Sequence, residues 1–182
     1  SDSRQLYKDL PIGTAAPTPE QMARVKHYMV GTLSLTDYYS ASNFEEDVVS
    51  LLSELHKTIP TVVMTGGSMM YIDAVCKGID DIPTISPELR TGLMEEYERE
   101  GLESIRQMLK ELDPVFYGQV DLNNGKRVLH SVEVCRMAGV PYSSLRKNTP
   151  KDRGFRIVRI GLNREREELY ARIDRRVDLM LE

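Results

Sequence analysis

The run Ile59-Pro60-Thr61-Val62-Val63-Met64 constrains this chain most. It is short, apolar and β-branched, the texture of a strand buried in the middle of a parallel sheet. Thr65-Gly66-Gly67-Ser68 follows, and Met69-Met70-Tyr71-Ile72 then reads as a helix. Ahead of the run, Phe44, Val48, Leu51, Leu52 and Leu55 recur at helical spacing, with Glu45, Glu46, Asp47 and Glu54 on other faces. Acids in its first turn and His56 and Lys57 in its last suit the helix dipole, and Pro60 stops it. Helix, buried strand, glycine turn and helix together predict an α/β core. With 182 residues, 41% of them hydrophobic, the chain suits one domain or a domain with a small insertion.

Other elements follow from local signals. Thr18 reads as an N-cap with Pro19 at N1 and Gln21 closing a capping box, and residues 27–30 read as a short strand. From Asp80 the texture becomes helical. Ser86-Pro87-Glu88 starts a charged helix ending near Gly101. A second helix turns Ile105, Met108, Leu109 and Leu112 inward, and a third spans 127–137. The expected organisation is an α/β core over 1–79 and 147–182 with a helical insertion domain over 80–146. Residues 148–154 read as a polar linker, and 155–162 as a returning strand. Asn163 then caps a last helix with Leu169, Ile173, Val177 and Met180 inward.

Several classes are excluded. Cys76 and Cys135 lie far apart without a C-x-x-C, which argues against a disulfide scaffold or structural zinc. His27, His56 and His130 are scattered, so no metal site is expected. No apolar run reaches the roughly 18 residues of a membrane span. The polar start SDSRQLYKDLP is not that of a secretory leader. A cytoplasmic protein without membrane contact, working as a monomer, is the expectation. Net charge is −4, but residues 1–143 carry 13 Lys and Arg against 21 Asp and Glu, and residues 144–182 carry 11 against 7. A basic C-terminal quarter could face a polyanion. Charge alone favours a solvated helical face with i,i+4 pairs.

Four groups could carry chemistry. Asp2-Ser3-Arg4-Gln5 offers donors and acceptors for a nucleobase edge, although four polar residues alone equally describe a solvated terminus. Thr65-Gly66-Gly67-Ser68 lies where α/β sheets put ligands and where helix N–H groups favour anions; a plain tight turn is the alternative. Lys126 and Arg127 follow the turn Asn123-Asn124-Gly125, and cations misfit a helix start, which hints at a partner. Arg172 and Arg176 share a helix face suited to a diphosphate, unless Glu168 and Asp174 pair with them.

The wording of these segments resembles the tRNA dimethylallyltransferase (tRNA isopentenyltransferase) family. Asp2-Ser3-Arg4-Gln5-Leu6-Tyr7 with Ile12-Gly13-Thr14-Ala15 is similar to its D-S-x-Q-x-Y and D-I-G-T-A motifs. Tyr39-Ser40-Ala41 with Phe44, Gly66-Gly67-Ser68 with Tyr71, and Pro87-Glu88-Leu89-Arg90 match further motifs in order. So do Asn123, Arg127 and Glu133, and Glu168-Leu169-Tyr170 with 172–177. The resemblance implies a P-loop NTPase-like parallel-sheet core, nucleotide binding, and transfer of a dimethylallyl group from its diphosphate to N6 of the adenosine 3′ of the anticodon.

By that resemblance Asp2 aligns the amine and takes its proton, and Arg176, with Arg172, meets the diphosphate, which carries Mg2+. Ser3, Arg4, Gln5, Ser68, Arg90, Lys126, Arg127, Val128, Leu129 and His130, together with Asp2, match positions that touch the tRNA anticodon stem-loop. The sequence departs from the family in places. No G-x-x-x-x-G-K-[ST] occurs in it, so the chain reads as an internal piece of a longer enzyme, lacking the first βα unit and inactive alone. Ser68 stands for Thr, Gly125 for Pro, Lys126 for Gln and His130 for Arg. An adenylate isopentenyltransferase acting on free AMP, or a non-catalytic RNA- or protein-binding module, are the alternatives.

Overall fold

In the computed structural model, which describes residues 1–181, the chain divides into two compact units: Ser1–Ile79 with Pro150–Glu182, and Asp80–Thr149. The helices run α1 (Pro19–Arg24), α2 (Ala41–Leu55), α3 (Met69–Lys77), α4 (Pro87–Glu100), α5 (Leu102–Leu112), α6 (Pro114–Tyr117), α7 (Gly125–Ala138), α8 (Tyr142–Leu145) and α9 (Arg166–Leu181).

Caps set the boundaries in the first unit. Thr18 accepts from the Gln21 N–H, and the Gln21 side chain accepts from the Thr18 N–H, with Pro19 at N1, as the sequence predicts. Ser40 and Asn43 cap α2 in the same way. The helix therefore begins before Phe44, and the acids at 45–47 fall beyond its first turn. Phe44, Val48 and Leu52 pack with Leu6 and Val75, and Tyr7, Leu33, Val62, Tyr71 and Phe155 close around them.

Glu45 is not on a solvated face. It is buried, and accepts from Arg153 at 2.7 Å and from the Ile79 N–H at 2.8 Å, with Lys151 at 3.2 Å. Arg153 also donates to the Ala74 carbonyl at 2.6 Å. The expected polar linker at 148–154 thus supplies a buried cation. Burial pushes the Glu45 carboxyl up, but the bonds from Arg153, Ile79 and Lys151 outweigh it and hold the carboxyl below its usual range.

The expected parallel sheet is not formed among the described residues. Residues 59–64 and 155–162 run without a ladder, and residues 27–30 do not form a strand either, since Met29 takes φ 58°. The recorded β pairing is one parallel bridge, Tyr7 to Leu33. A strand is defined by its partner, and β-branched texture supplies only half of that requirement. Val63, Ile160 and Leu162 are 83%, 82% and 96% exposed. The last helix begins at Arg166, not next to Asn163, and Leu169, Ile173 and Val177 are about half exposed instead of inward.

The second unit is helical throughout its described elements. Leu93, Ile105, Leu109, Val128 and Val132 form a core at 0–1% exposure, flanked by Phe116 and Leu129. Leu112, expected inward, is exposed. α6 and α8 are four residues each, too short for an apolar period to show them. Asp113-Pro114 repeats the cap-then-proline start of Thr18-Pro19. The buried Asp113 caps Phe116 at 2.9 Å and accepts from the Ser143 N–H at 2.6 Å and hydroxyl at 2.8 Å, which ties α8 to α6.

Candidate functional site

The N-terminal motif folds as a turn on the carboxylate of Asp2. Its Oδ1 accepts from the Arg4 N–H at 2.8 Å and the Gln5 N–H at 3.3 Å. The Ser3 N–H donates to Ser68 Oγ at 2.9 Å, and the Ser68 hydroxyl donates to Ser3 Oγ at 3.2 Å. Ser68 occupies the N-cap position of α3 yet makes no side-chain cap bond, because Ser3 holds its hydroxyl. Its N–H donates to the Ser1 carbonyl at 3.3 Å.

Gly66 sits at φ +147°, and a Cβ there would stand 2.2 Å from the Ser1 carbonyl oxygen. Glycine is required because the N-terminal segment lies directly on the turn. The structure therefore brings Asp2, Ser3 and Ser68 together. The 65–68 turn receives the N-terminal motif, a role the sequence signal did not separate from an anion cradle.

Gln5 faces inward along its own segment. Its Nε2 donates to the Thr14 carbonyl at 2.9 Å and the Ala15 carbonyl at 3.1 Å. From α9, an Nη2 hydrogen of Arg176 donates to the same Thr14 carbonyl at 3.3 Å. Thr14 is itself buried, with its hydroxyl donating to the Leu10 carbonyl at 2.6 Å. Arg176 thus reaches the loop that Gln5 holds. Arg172 is exposed one turn earlier, and Glu168 pairs with Arg164 instead of Arg172. Arg4 is exposed beside the turn. No side-chain chemistry marks Thr14 as a site residue in the sequence; the signal for it is its place between Gly13 and Ala15 in the second motif.

In the second unit, Asn124 caps α7 by accepting from the Arg127 N–H at 3.2 Å. Arg106 holds the preceding turn, donating to the Leu122 carbonyl at 2.9 Å and Asn123 Oδ1 at 3.0 Å. Gly125 fits because a Cβ would stand 2.6 Å from the Tyr97 hydroxyl. Lys126, Arg127 and His130 are exposed. Val128 and Leu129 are 0% and 6% exposed, and their side chains belong to the core. The period of the helix turns them inward between their exposed neighbours. Glu133, nearly buried, lies 3.4 Å from both Arg90 Nε and His130 Nδ1 and so gathers these two groups.

Among the described residues no three His, Cys, Asp or Glu side chains come together to hold a metal, and no helix is long and apolar enough to cross a membrane.

The family model for IPP transferase matches residues 5–182. The chain is 76% identical over 181 residues to "tRNA dimethylallyltransferase 2" of Parabacteroides distasonis, covering all of this chain and 60% of that protein. It is 60% identical to "tRNA dimethylallyltransferase 1" of Phocaeicola vulgatus, again over the whole chain and 61% of that protein. A solved tRNA isopentenylpyrophosphate transferase from Bacillus halodurans superposes with TM-score 0.56 at 29% identity, over 99% of this chain and 55% of that one. A eukaryotic dimethylallyltransferase acting on tRNA superposes with TM-score 0.81 at 24% identity, over all of this chain and 45% of that one, which shows a shared fold. The chain spans about 60% of the length of the curated relatives it matches. With the motifs in order and the match running to the end of the chain, this protein belongs to the IPP transferase family.

Proposed function

We propose that this chain carries the adenosine-facing part of a tRNA dimethylallyltransferase. That enzyme moves a dimethylallyl group from its diphosphate to N6 of the adenosine 3′-adjacent to the anticodon. The observation that carries the reading is the meeting of two segments far apart in sequence. The Asp2 turn and Arg176 of α9 are joined through Gln5 and the Thr14 carbonyl. Adenine N6 is a poor nucleophile because its lone pair is delocalised into the ring. A carboxylate accepting from the amine aligns it and takes the proton as the new C–N bond forms. Asp2 is the acid in the motif that can do both. Ser68 and Ser3 hold one another beside it and offer hydroxyls to the base. The guanidinium of Arg176 meets the diphosphate and stabilises it as it leaves.

Exposed Lys126, Arg127 and His130, with Arg90 beside Glu133, form the tRNA-facing surface in this reading. Magnesium travels with the diphosphate. Among the described residues no carboxylates gather into a metal site, and in this reading the chain's own contribution is Asp2 and Arg176. The β-branched segments 59–64 and 155–162, which carry no ladder in this chain, belong to a P-loop-type sheet of the full-length enzyme in this reading, and that enzyme acts in the cytoplasm as a monomer.

The test uses an enzyme of full family length carrying this sequence, assayed with the prenyl diphosphate and tRNA. Asp2→Asn keeps Oδ1 for the Arg4 and Gln5 N–H groups but loses basicity. Single-turnover transfer should fall by about 10²-fold or more while tRNA affinity changes little. A near-normal rate in that variant would remove Asp2 from the chemistry.

A further inference from the structure

The family motif presents Gln5 as a nucleotide-facing residue, yet both hydrogens of its amide point at the protein. Gln5 Nε2 donates to the two carbonyls of the Thr14–Ala15 junction, at 2.9 and 3.1 Å. Its main chain is also engaged at both ends. The N–H donates to Asp2 Oδ1 at 3.3 Å, and the carbonyl accepts from the Gly31 N–H at 2.8 Å. Gln5 therefore touches the Asp2 turn, the 10–16 loop and the Gly31 segment at once.

The loop it holds needs holding. Ala15 takes φ 47°, which an alanine adopts only under constraint. The loop is closed internally by the Ala15 N–H on the Ile12 carbonyl at 2.9 Å and the Ala16 N–H on the Pro11 carbonyl at 3.0 Å. Its outward product is the Thr14 carbonyl, whose two lone pairs take Gln5 on one side and Arg176 on the other.

We infer that Gln5 is a positioning residue. It orients the Thr14 carbonyl that seats Arg176, and so couples the placement of the cation to the Asp2 turn. The inference rests on the catalytic reading of Asp2 and Arg176 above, but the tether itself is independent of it. A donor is essential at this position. An isosteric apolar side chain takes the amide donor from the Ala15 carbonyl and leaves the Thr14 carbonyl to Arg176 alone, and a carboxylate would oppose both carbonyls with like charge.

Gln5→Met keeps the volume and removes the donors. Hydrogen exchange at Ala15 and Ala16 in this chain should accelerate by roughly 10-fold, the scale of one or two lost hydrogen bonds. In the enzyme of full family length, kcat should fall and tRNA Kd should stay within about 2-fold. The loss should be non-additive with that of Arg176→Ala, because the second change removes what the first misplaces. Gln5→Glu should be worse than Gln5→Met on each readout, which a plain packing role would not produce.

Unchanged exchange at Ala15 and Ala16 would overturn the tether. A drop in tRNA affinity matching the drop in kcat/KM, additive with Arg176→Ala, would return Gln5 to direct nucleotide contact. If the unsubstituted full-length enzyme transfers no prenyl group, the catalytic reading fails alone. The exchange result, with thermal coupling between Gln5→Met and Arg176→Ala, then still decides the tether.

Discussion

The helical unit and the C-terminal part of the other unit obey the same apolar spacing rules and end in opposite states. In α5 and α7 the inward positions Ile105, Leu109, Val128 and Val132 are all at 0% exposure. In α9, Leu169, Ile173 and Val177 follow a comparable spacing and remain 42–48% exposed, and the helix has no buried residue. Periodicity specifies which face of a helix seeks cover. Cover itself comes from a partner, and α4 to α8 find theirs among one another within about 60 residues. The first unit instead concentrates its order around Phe44 and the Asp2 turn, held by polar contacts of long sequence separation such as Glu45 to Arg153 and Ser3 to Ser68.

The polar anchoring of the first unit is the sharpest place to break this contrast. Glu45→Ala removes the partner of the nearly buried Arg153 and of the Ile79 N–H. It should cost about 3–5 kcal/mol in denaturant unfolding, as expected when one member of a buried pair is left uncompensated. A cost below about 1 kcal/mol would show that the pair merely decorates the unit.

Leu109→Ala, in the closed helical core, should cost about 2–5 kcal/mol. Ile173→Ala on α9 should cost less than about 1 kcal/mol, because roughly half of its side chain already meets water. Equal costs at the two sites would erase the distinction between covered and uncovered faces.

The Glu45 contribution also carries a pH signature. Its folded pKa is lowered, so its stabilisation is present above the ordinary carboxylate range and is lost as pH falls through the lowered value. Stability curves of the wild type and Glu45→Gln should therefore differ at neutral pH and converge only after pH has fallen below the ordinary carboxylate range and through the lowered folded value. A gap that persists in acid would locate the effect in packing instead of charge.

The smallest expected effect on stability lies on the outer face of α7. Lys126→Ala with Arg127→Ala should change unfolding by no more than about 0.5 kcal/mol. In the enzyme of full family length the same pair should weaken tRNA binding and reduce its salt slope by about 1.4–1.8, the share of two phosphate contacts. An unchanged slope would leave these cations as a solvated helix start.

Legibility followed the range of the interaction. The starts of α1 and α4 could be read because Thr18-Pro19 and Ser86-Pro87 satisfy helix N–H groups from within three residues. The same grammar at Asp113-Pro114 was present but sits on a four-residue helix that periodicity cannot reveal. Of the site, the motif residues could be named, but their partners could not. Gln5 finds the Thr14 carbonyl nine residues on, and Arg176 reaches that carbonyl from 162 residues away. Val128 and Leu129 sit inside a stretch that matches a nucleic-acid contact, and only the rotation of α7 turns them into core.

The sequence by itself determined the family, the helix starts and the residue types at the site, because each is carried by neighbours along the chain. The tertiary structure decided that Glu45 is buried, that Gly66 must admit the Ser1 backbone, and that Gln5 faces the protein. It also left 59–64 and 155–162 without a ladder among the described residues. Each of these outcomes depends on a partner distant in sequence, and neither local propensity nor hydrophobic period encodes the identity of that partner.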